Sequence, residues 1–142
     1  MPTNILVVDD HQQYRDIFCK LLQACRPDLQ IIPVETGSQT LNLSAQIAFD
    51  LLILDYHLQA MTAGDILRHL RVRARTSTWP LPPVVLTSAH PDAEVFARSL
   101  RVDAFLPKPV EYDELRDVLN SLLPTTRPLT RALGAREAVA VE

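Results

Sequence analysis

Glycine is rare in this chain, with three residues in 142. Neither a GxxxxGK[ST] stretch nor a glycine fingerprint occurs. The flexible backbone loop that wraps nucleotide phosphates is therefore missing, which argues against a nucleotide-binding enzyme or a phosphatase on a similar sheet. Cysteine is scarcer still. Cys19 and Cys25 are the only two; six residues apart in one apparent helix, they leave neither a redox pair nor a zinc pair. Such usage fits a reducing compartment, and a cytoplasmic location is the expectation. No apolar stretch approaches the roughly 18 residues of a membrane span, and the N-terminus lacks the basic-then-apolar order of a secretion signal. Nor is there a block of like charge. The 14 basic and 17 acidic residues give a net charge of −3, spread along the chain, which speaks against a nucleic-acid surface. The four histidines, His11, His57, His69 and His90, show no metal-binding spacing.

What the chain does hold is apolar residues, 47% of the total, enough at this length for one domain with a full core and no staples. Four aliphatic runs, at 5–8, 31–34, 51–54 and 84–86, with a weaker fifth at 104–106, read as strands. Runs this continuous suit strands covered on both faces, as in a parallel sheet between helices. The intervening segments carry helical spacing. Tyr14, Ile17, Phe18, Leu21, Leu22 and Cys25 form one apolar stripe that stops at Pro27, and Tyr112, Leu115, Val118, Leu119 and Leu122 repeat it before Pro124. Residues 38–48 predict a polar second helix, Ile66, Leu67 and Leu70 lead a third, and Pro91, Asp92 and Glu94 open a fourth. Strand followed by helix, five times over, predicts right-handed crossovers and an α/β fold with helices on both faces of a parallel sheet. Residues 124–142 contain two prolines and three arginines without a convincing period. A domain is expected over 1–123, followed by a flexible tail or linker.

In a doubly wound sheet, ligands gather outside the carboxyl ends of the strands, where the strand order reverses. The residues at those ends are Asp9 and Asp10 after the first run, Asp55 after the third, Thr87 and Ser88 after the fourth, and Lys108 after the fifth. Neighbouring strands lie about 4.8 Å apart, so adjacency of the first and third would bring three carboxylates together. Two such charges about 4 Å apart repel by on the order of 4 kcal/mol at an effective dielectric near ~20. Relief requires protonation, a cation or a lysine, and an all-oxygen donor set suits Mg²⁺ better than Zn²⁺. Taken singly, each residue also has a plainer role. Asp10 suits a helix start, Asp55 a turn, Thr87 strand filling, Phe105 the core, and Lys108 a solvated turn.

In order, Ile5-Leu6-Val7-Val8-Asp9-Asp10, Leu51-Leu52-Ile53-Leu54-Asp55, Val84-Val85-Leu86-Thr87-Ser88 and Phe105-Leu106-Pro107-Lys108-Pro109 resemble the receiver domain of two-component response regulators, over about residues 3–123. Each piece alone is weak; four in order at strand ends are strong. The resemblance implies a flavodoxin-like, five-stranded parallel sheet in the order 2-1-3-4-5 with five helices. It implies that Asp55 is the phosphoacceptor, taking a phosphoryl group from a sensor histidine kinase or phosphotransfer protein. The domain is then a signalling switch rather than an enzyme, with only self-catalysed phosphotransfer and dephosphorylation. Mg²⁺ held by Asp9, Asp10, Asp55 and the backbone carbonyl of His57 is implied as well, with Thr87 and Lys108 on phosphoryl oxygens. Thr87 and Phe105 would form the switch that couples the site to the face of the fourth helix, fifth strand and fifth helix. A homodimer through that face is a further expectation, and a cis peptide is implied at Lys108-Pro109.

Two departures from the family pattern stand out. Gln59 takes the place of the common proline, and the loop over 56–63 is one residue longer before Gly64. Arg101-Val102 replaces the usual Gly-Ala pair before the fifth strand, where a left-handed Arg101 would cost about 1 kcal/mol over glycine. Arg68, Arg71, Arg73 and Arg75 crowd the third helix and its exit, ahead of a long loop with Trp79. A solvated helix face is the expectation, a partner or anion surface the alternative. The competing function is a binding scaffold that keeps this fold and signals without phosphate. The 19 residues after Leu123 are too few for a helix-turn-helix module, so the expected partner is protein, with neither nucleic acid nor membrane.

Overall fold

The computed structural model describes residues 2–76 and 80–124. Five strands, β1 (Thr3–Val8), β2 (Leu29–Val34), β3 (Leu51–Asp55), β4 (Val84–Ser88) and β5 (Ala104–Pro107), alternate with five helices. These are α1 (Gln12–Cys25), α2 (Gly37–Gln46), α3 (Ala63–Ala74), α4 (Ala93–Ser99) and α5 (Tyr112–Leu122). The strands form one sheet in the order β2-β1-β3-β4-β5, the order the resemblance implies, and every pairing is parallel, as the strand pattern predicts. Alternation along each strand sorts its side chains onto the two faces. Leu6, Val8, Leu52, Leu54, Val84 and Leu86 pack under Ile66, Leu67 and Leu70 of α3 and Ala97 of α4. Ile5, Val7, Leu51, Ile53, Val85 and Leu106 pack under Phe18 and Leu22 of α1 and Leu115 and Leu119 of α5. Each fully buried Leu or Ile contributes about 1.5–3 kcal/mol, so polar residues enter the central strands only at their ends. Pro33 and Pro107 fall on β2 and β5, the edge strands, where a missing N–H removes no interior ladder bond.

Helix starts are set by short-range chemistry. In α2 and α3, Thr36 with Gln39 and Thr62 with Asp65 form capping boxes, each satisfying N–H groups at both the cap and the third helical position. The polar helix expected at 38–48 therefore begins at Gly37 and ends at Gln46; Thr36-Gly37-Ser38-Gln39 is the pattern that marks its start. A Cβ at Gly37 would lie 2.9 Å from Ile66 Cδ1 and Met61 Sδ, so a larger residue there would require those two side chains to shift.

Two sequence expectations need correction. The apolar stripe of α1 is narrower than its spacing suggests, because Phe18 and Leu22 are buried while Tyr14 and Ile17 are exposed. Ile17 sits beside the line through Phe18 and Leu22, and Tyr14 lies over Lys108. The arginines of α3 are likewise only partly a solvated face. Arg68 pairs with Asp65 at 3.0 Å in solvent. Arg71, however, donates through Nη2 to the carbonyls of Leu100 and Arg101 at 2.6 and 3.1 Å, and Arg73 through Nη1 to that of Leu41 at 2.7 Å. These bonds tie α3 to the end of α4 and to α2.

Arg101 has φ of 58°, the left-handed turn expected there, and the Lys108-Pro109 peptide is cis. At the amino end of the sheet, Asn4 N–H donates to the Asp50 carboxylate at 2.8 Å while Asp50 N–H donates to the Asn4 carbonyl at 2.8 Å. Val84 and Asp103 repeat this exchange at 2.7 and 2.8 Å. Trp79 and the tail from residue 125 onward lie outside the described residues. No helix among the described residues is long and apolar enough to cross a membrane.

Candidate functional site

Strand register fixes the site first. Val8 pairs with Leu54, Asp55 with Thr87, Thr87 with Leu106 and Ser88 with Pro107, so the residues at and just past the ends of β1, β3, β4 and β5 emerge along one edge. There Asp9, Asp10 and Asp55 each place a carboxylate oxygen within 4.8 Å of the others. Lys108 reaches across from β5. Its Nζ lies 2.7 Å from Asp9 Oδ2 and 3.5 Å from Asp55 Oδ2, and its side chain is 7% exposed. Backbone groups hold the cluster in place. His11 N–H donates to Asp9 Oδ1 at 2.9 Å, and His57 N–H donates to Asp55 Oδ1 at 3.4 Å. Arg15 Nη1 donates to the Asp9 carbonyl at 2.8 Å, and Lys108 N–H to the Ser88 carbonyl at 2.8 Å. Thr87 is buried beside Asp55, and its carbonyl accepts from Tyr56 N–H at 2.9 Å.

Three carboxylates around one ammonium leave two negative charges uncompensated. Burial above all pushes the Asp55 carboxyl up to about 6, with Asp9 and Asp10 adding to the rise against the pull of Lys108 and the His57 N–H. The donors are all carboxylate oxygens, without imidazole or thiolate, the chemistry of a hard cation such as Mg²⁺. The residues present fit that ion.

Asp9, Asp10, Asp55, Thr87 and Lys108 thus meet at one edge, and His57 touches the cluster through its backbone. Phe105 stands apart from them. It pairs with Leu86 and is half-buried against the core on the α3 and α4 side. Sequence reasoning missed three contributors. Arg15 bonds the Asp9 carbonyl. Tyr56 stacks on Phe96 of α4 with centroids 5.3 Å apart, and no pattern in the chain announces that contact. The Tyr14 ring lies 4.7 Å from Lys108 Nζ; a helix starting just after Asp10 would have signalled that position 14 faces back toward the strand ends.

The chain belongs to the response regulator receiver domain family, which matches residues 5–120. It is 32% identical over 126 residues to the sensory/regulatory protein RpfC of Xanthomonas campestris pv. campestris, an alignment covering 88% of this chain and 17% of RpfC. It is 30% identical over 129 residues to the response regulator MprA of Mycolicibacterium vanbaalenii, covering 90% of this chain and 53% of MprA. The chain therefore spans a minor part of the first relative and about half of the second. The chemotaxis response regulator CheY4 of Vibrio cholerae superposes with a TM-score of 0.72 over 87% of this chain and 100% of that chain at 19% identity, a likeness of fold.

Proposed function

We propose that residues 1–123 form a phosphorylation-controlled switch whose phosphoacceptor is Asp55. The observation that supports this reading most is the meeting of Asp9, Asp10, Asp55 and Lys108 at the sheet edge where the strand order reverses. An Asp55 carboxylate oxygen attacks the phosphorus of a phosphohistidine on a sensor histidine kinase or phosphotransfer protein. The P–O bond forms as the P–N bond breaks, and the imidazole leaves with the electron pair. Asp9, Asp10, Asp55 and the backbone carbonyl of His57 would hold Mg²⁺, which when bound neutralises charge on the transferring group. Lys108, already between Asp9 and Asp55, pairs with one phosphoryl oxygen, and the Thr87 hydroxyl donates to another. Drawing Thr87 toward the phosphoryl group vacates space that Phe105 fills. The face of α4, β5 and α5 then changes its affinity for a protein partner or a second copy.

The test is incubation with acetyl phosphate or beryllofluoride and Mg²⁺, followed by mass spectrometry or fluorine NMR. The wild type gains a Mg²⁺-dependent adduct and Asp55→Asn gains none. Equal labelling of the two proteins would refute the assignment.

A further inference from the structure

Tyr14 is 42% exposed, yet its ring is not loose. The His11 ring lies 4.7 Å from it, and the His11 side chain accepts from Tyr14 N–H at 3.4 Å. The ring also meets Lys108, whose Nζ is 4.7 Å from the centroid, inside the roughly 6 Å reach of a cation–π contact. The ammonium therefore has three neighbours: the Asp9 carboxylate, the Asp55 carboxylate and an aromatic face. A lysine head is a point charge on a flexible stem, with no preferred approach geometry of its own. Two carboxylates attract it without confining it. The Tyr14 ring is the aromatic neighbour that meets this ammonium.

We infer that Tyr14 is a positioning residue for Lys108, its ring face holding the ammonium between Asp9 and Asp55 and screening it from solvent. The consequence for turnover rests on the reading of Asp55 as phosphoacceptor; the contact itself does not. Two measurements keep the two apart. In the protein without any phosphodonor, the Lys108 Hε resonances, read by ¹³C-edited NMR, carry a ring-current shift in wild type and Tyr14→Phe that is lost in Tyr14→Leu. Leucine fills much of the same space without a quadrupole, and thermal melts report whether each variant is folded.

With acetyl phosphate and Mg²⁺, a donor that docks on no helix, the rate constant for labelling Asp55 falls about three- to tenfold in Tyr14→Leu and stays within about twofold in Tyr14→Phe. Labelling of Tyr14→Leu at the wild-type rate would overturn the inference. So would Tyr14→Phe as slow as Tyr14→Leu, or the same Lys108 shift in all three proteins. Failure of the wild type itself to label would remove the phosphoacceptor reading, and the NMR comparison would still decide the Tyr14–Lys108 contact.

Discussion

The two ends of the sheet use the same residue type to opposite effect. At the amino end, Asp50 and Asp103 each turn a carboxylate onto a backbone N–H near the start of a strand. At the carboxyl end, Asp9, Asp10 and Asp55 face one another. One lysine answers them, and Asp55 sits well above the ordinary carboxylate range as a result of its burial and its neighbours. An aspartate that finishes a backbone hydrogen-bond pattern stabilises the fold, whereas aspartates that crowd at a strand end weaken it until something else arrives. The cost at the second end marks it as the place where a ligand belongs.

Removing the lysine should widen this contrast most. In Lys108→Met, Asp9 and Asp55 lose the charge that faces them, and urea unfolding at pH 7.5 should register a loss of about 3–5 kcal/mol. The loss should shrink at pH 4.5 as Asp55 takes up its proton; a loss that is equal at both pH values would mean that charge is not its source.

The next effect has the opposite sign. The Asp55 carboxyl stands at about 6 in the fold against an ordinary 3.8, so the folded state holds that proton more tightly than the unfolded chain does. The stability this contributes is present below about pH 4 and is lost as pH rises to about 6, roughly 3 kcal/mol in all at ~1.36 kcal/mol per unit. Asp55→Asn removes that slope and should be the more stable protein above pH 6, although it accepts no phosphoryl group. Unfolding free energies measured from pH 4 to 8 check this, and a variant with the wild-type slope would place the strain on another residue.

The smallest change belongs to the quiet end. Asp103→Ala strands the Val84 N–H at a cost of about 1–3 kcal/mol. That cost should be nearly the same at pH 5.5 and pH 8, and the Mg²⁺-dependent adduct should form as in wild type. A labelling defect in this variant would show that the two ends are not independent.

How much of this could be read from the chain depended on distance along it. The five strands and their order of appearance were visible because continuous aliphatic runs have few other uses, and the strand-end residues followed from the runs. The start of α2 was visible in principle at Thr36-Gly37-Ser38-Gln39, a local pattern obscured by the polar face that follows. Arg71, Arg73, Asp50 and Asp103 were not. Their partners lie on other elements, 46 positions away for Asp50 and Asn4 and 29 for Arg71 and Leu100, and nothing in periodicity or capping chemistry reports which carbonyl or amide will be brought alongside. Tyr14 failed for a related reason. Helical spacing places it with the apolar stripe, and although a helix start after Asp10 turns position 14 toward the strand ends, the tertiary position of the first turn decides that it is the lysine it touches.

α4 carries one more consequence. Its first turn has no side-chain cap at Asp92, while its far end is clamped where Arg71 grips two carbonyls and Arg101 turns left-handed. The first turn is held instead by Ala93 N–H on the His90 carbonyl at 3.2 Å and by Asp92 N–H on His90 Nδ1 at 3.1 Å, so the two tips are tied by different means. The Leu100–Arg101 corner thus ties α4 to α3, and the Tyr56–Phe96 stack joins its middle to the residue after Asp55, so the helix is anchored on two other elements along its length.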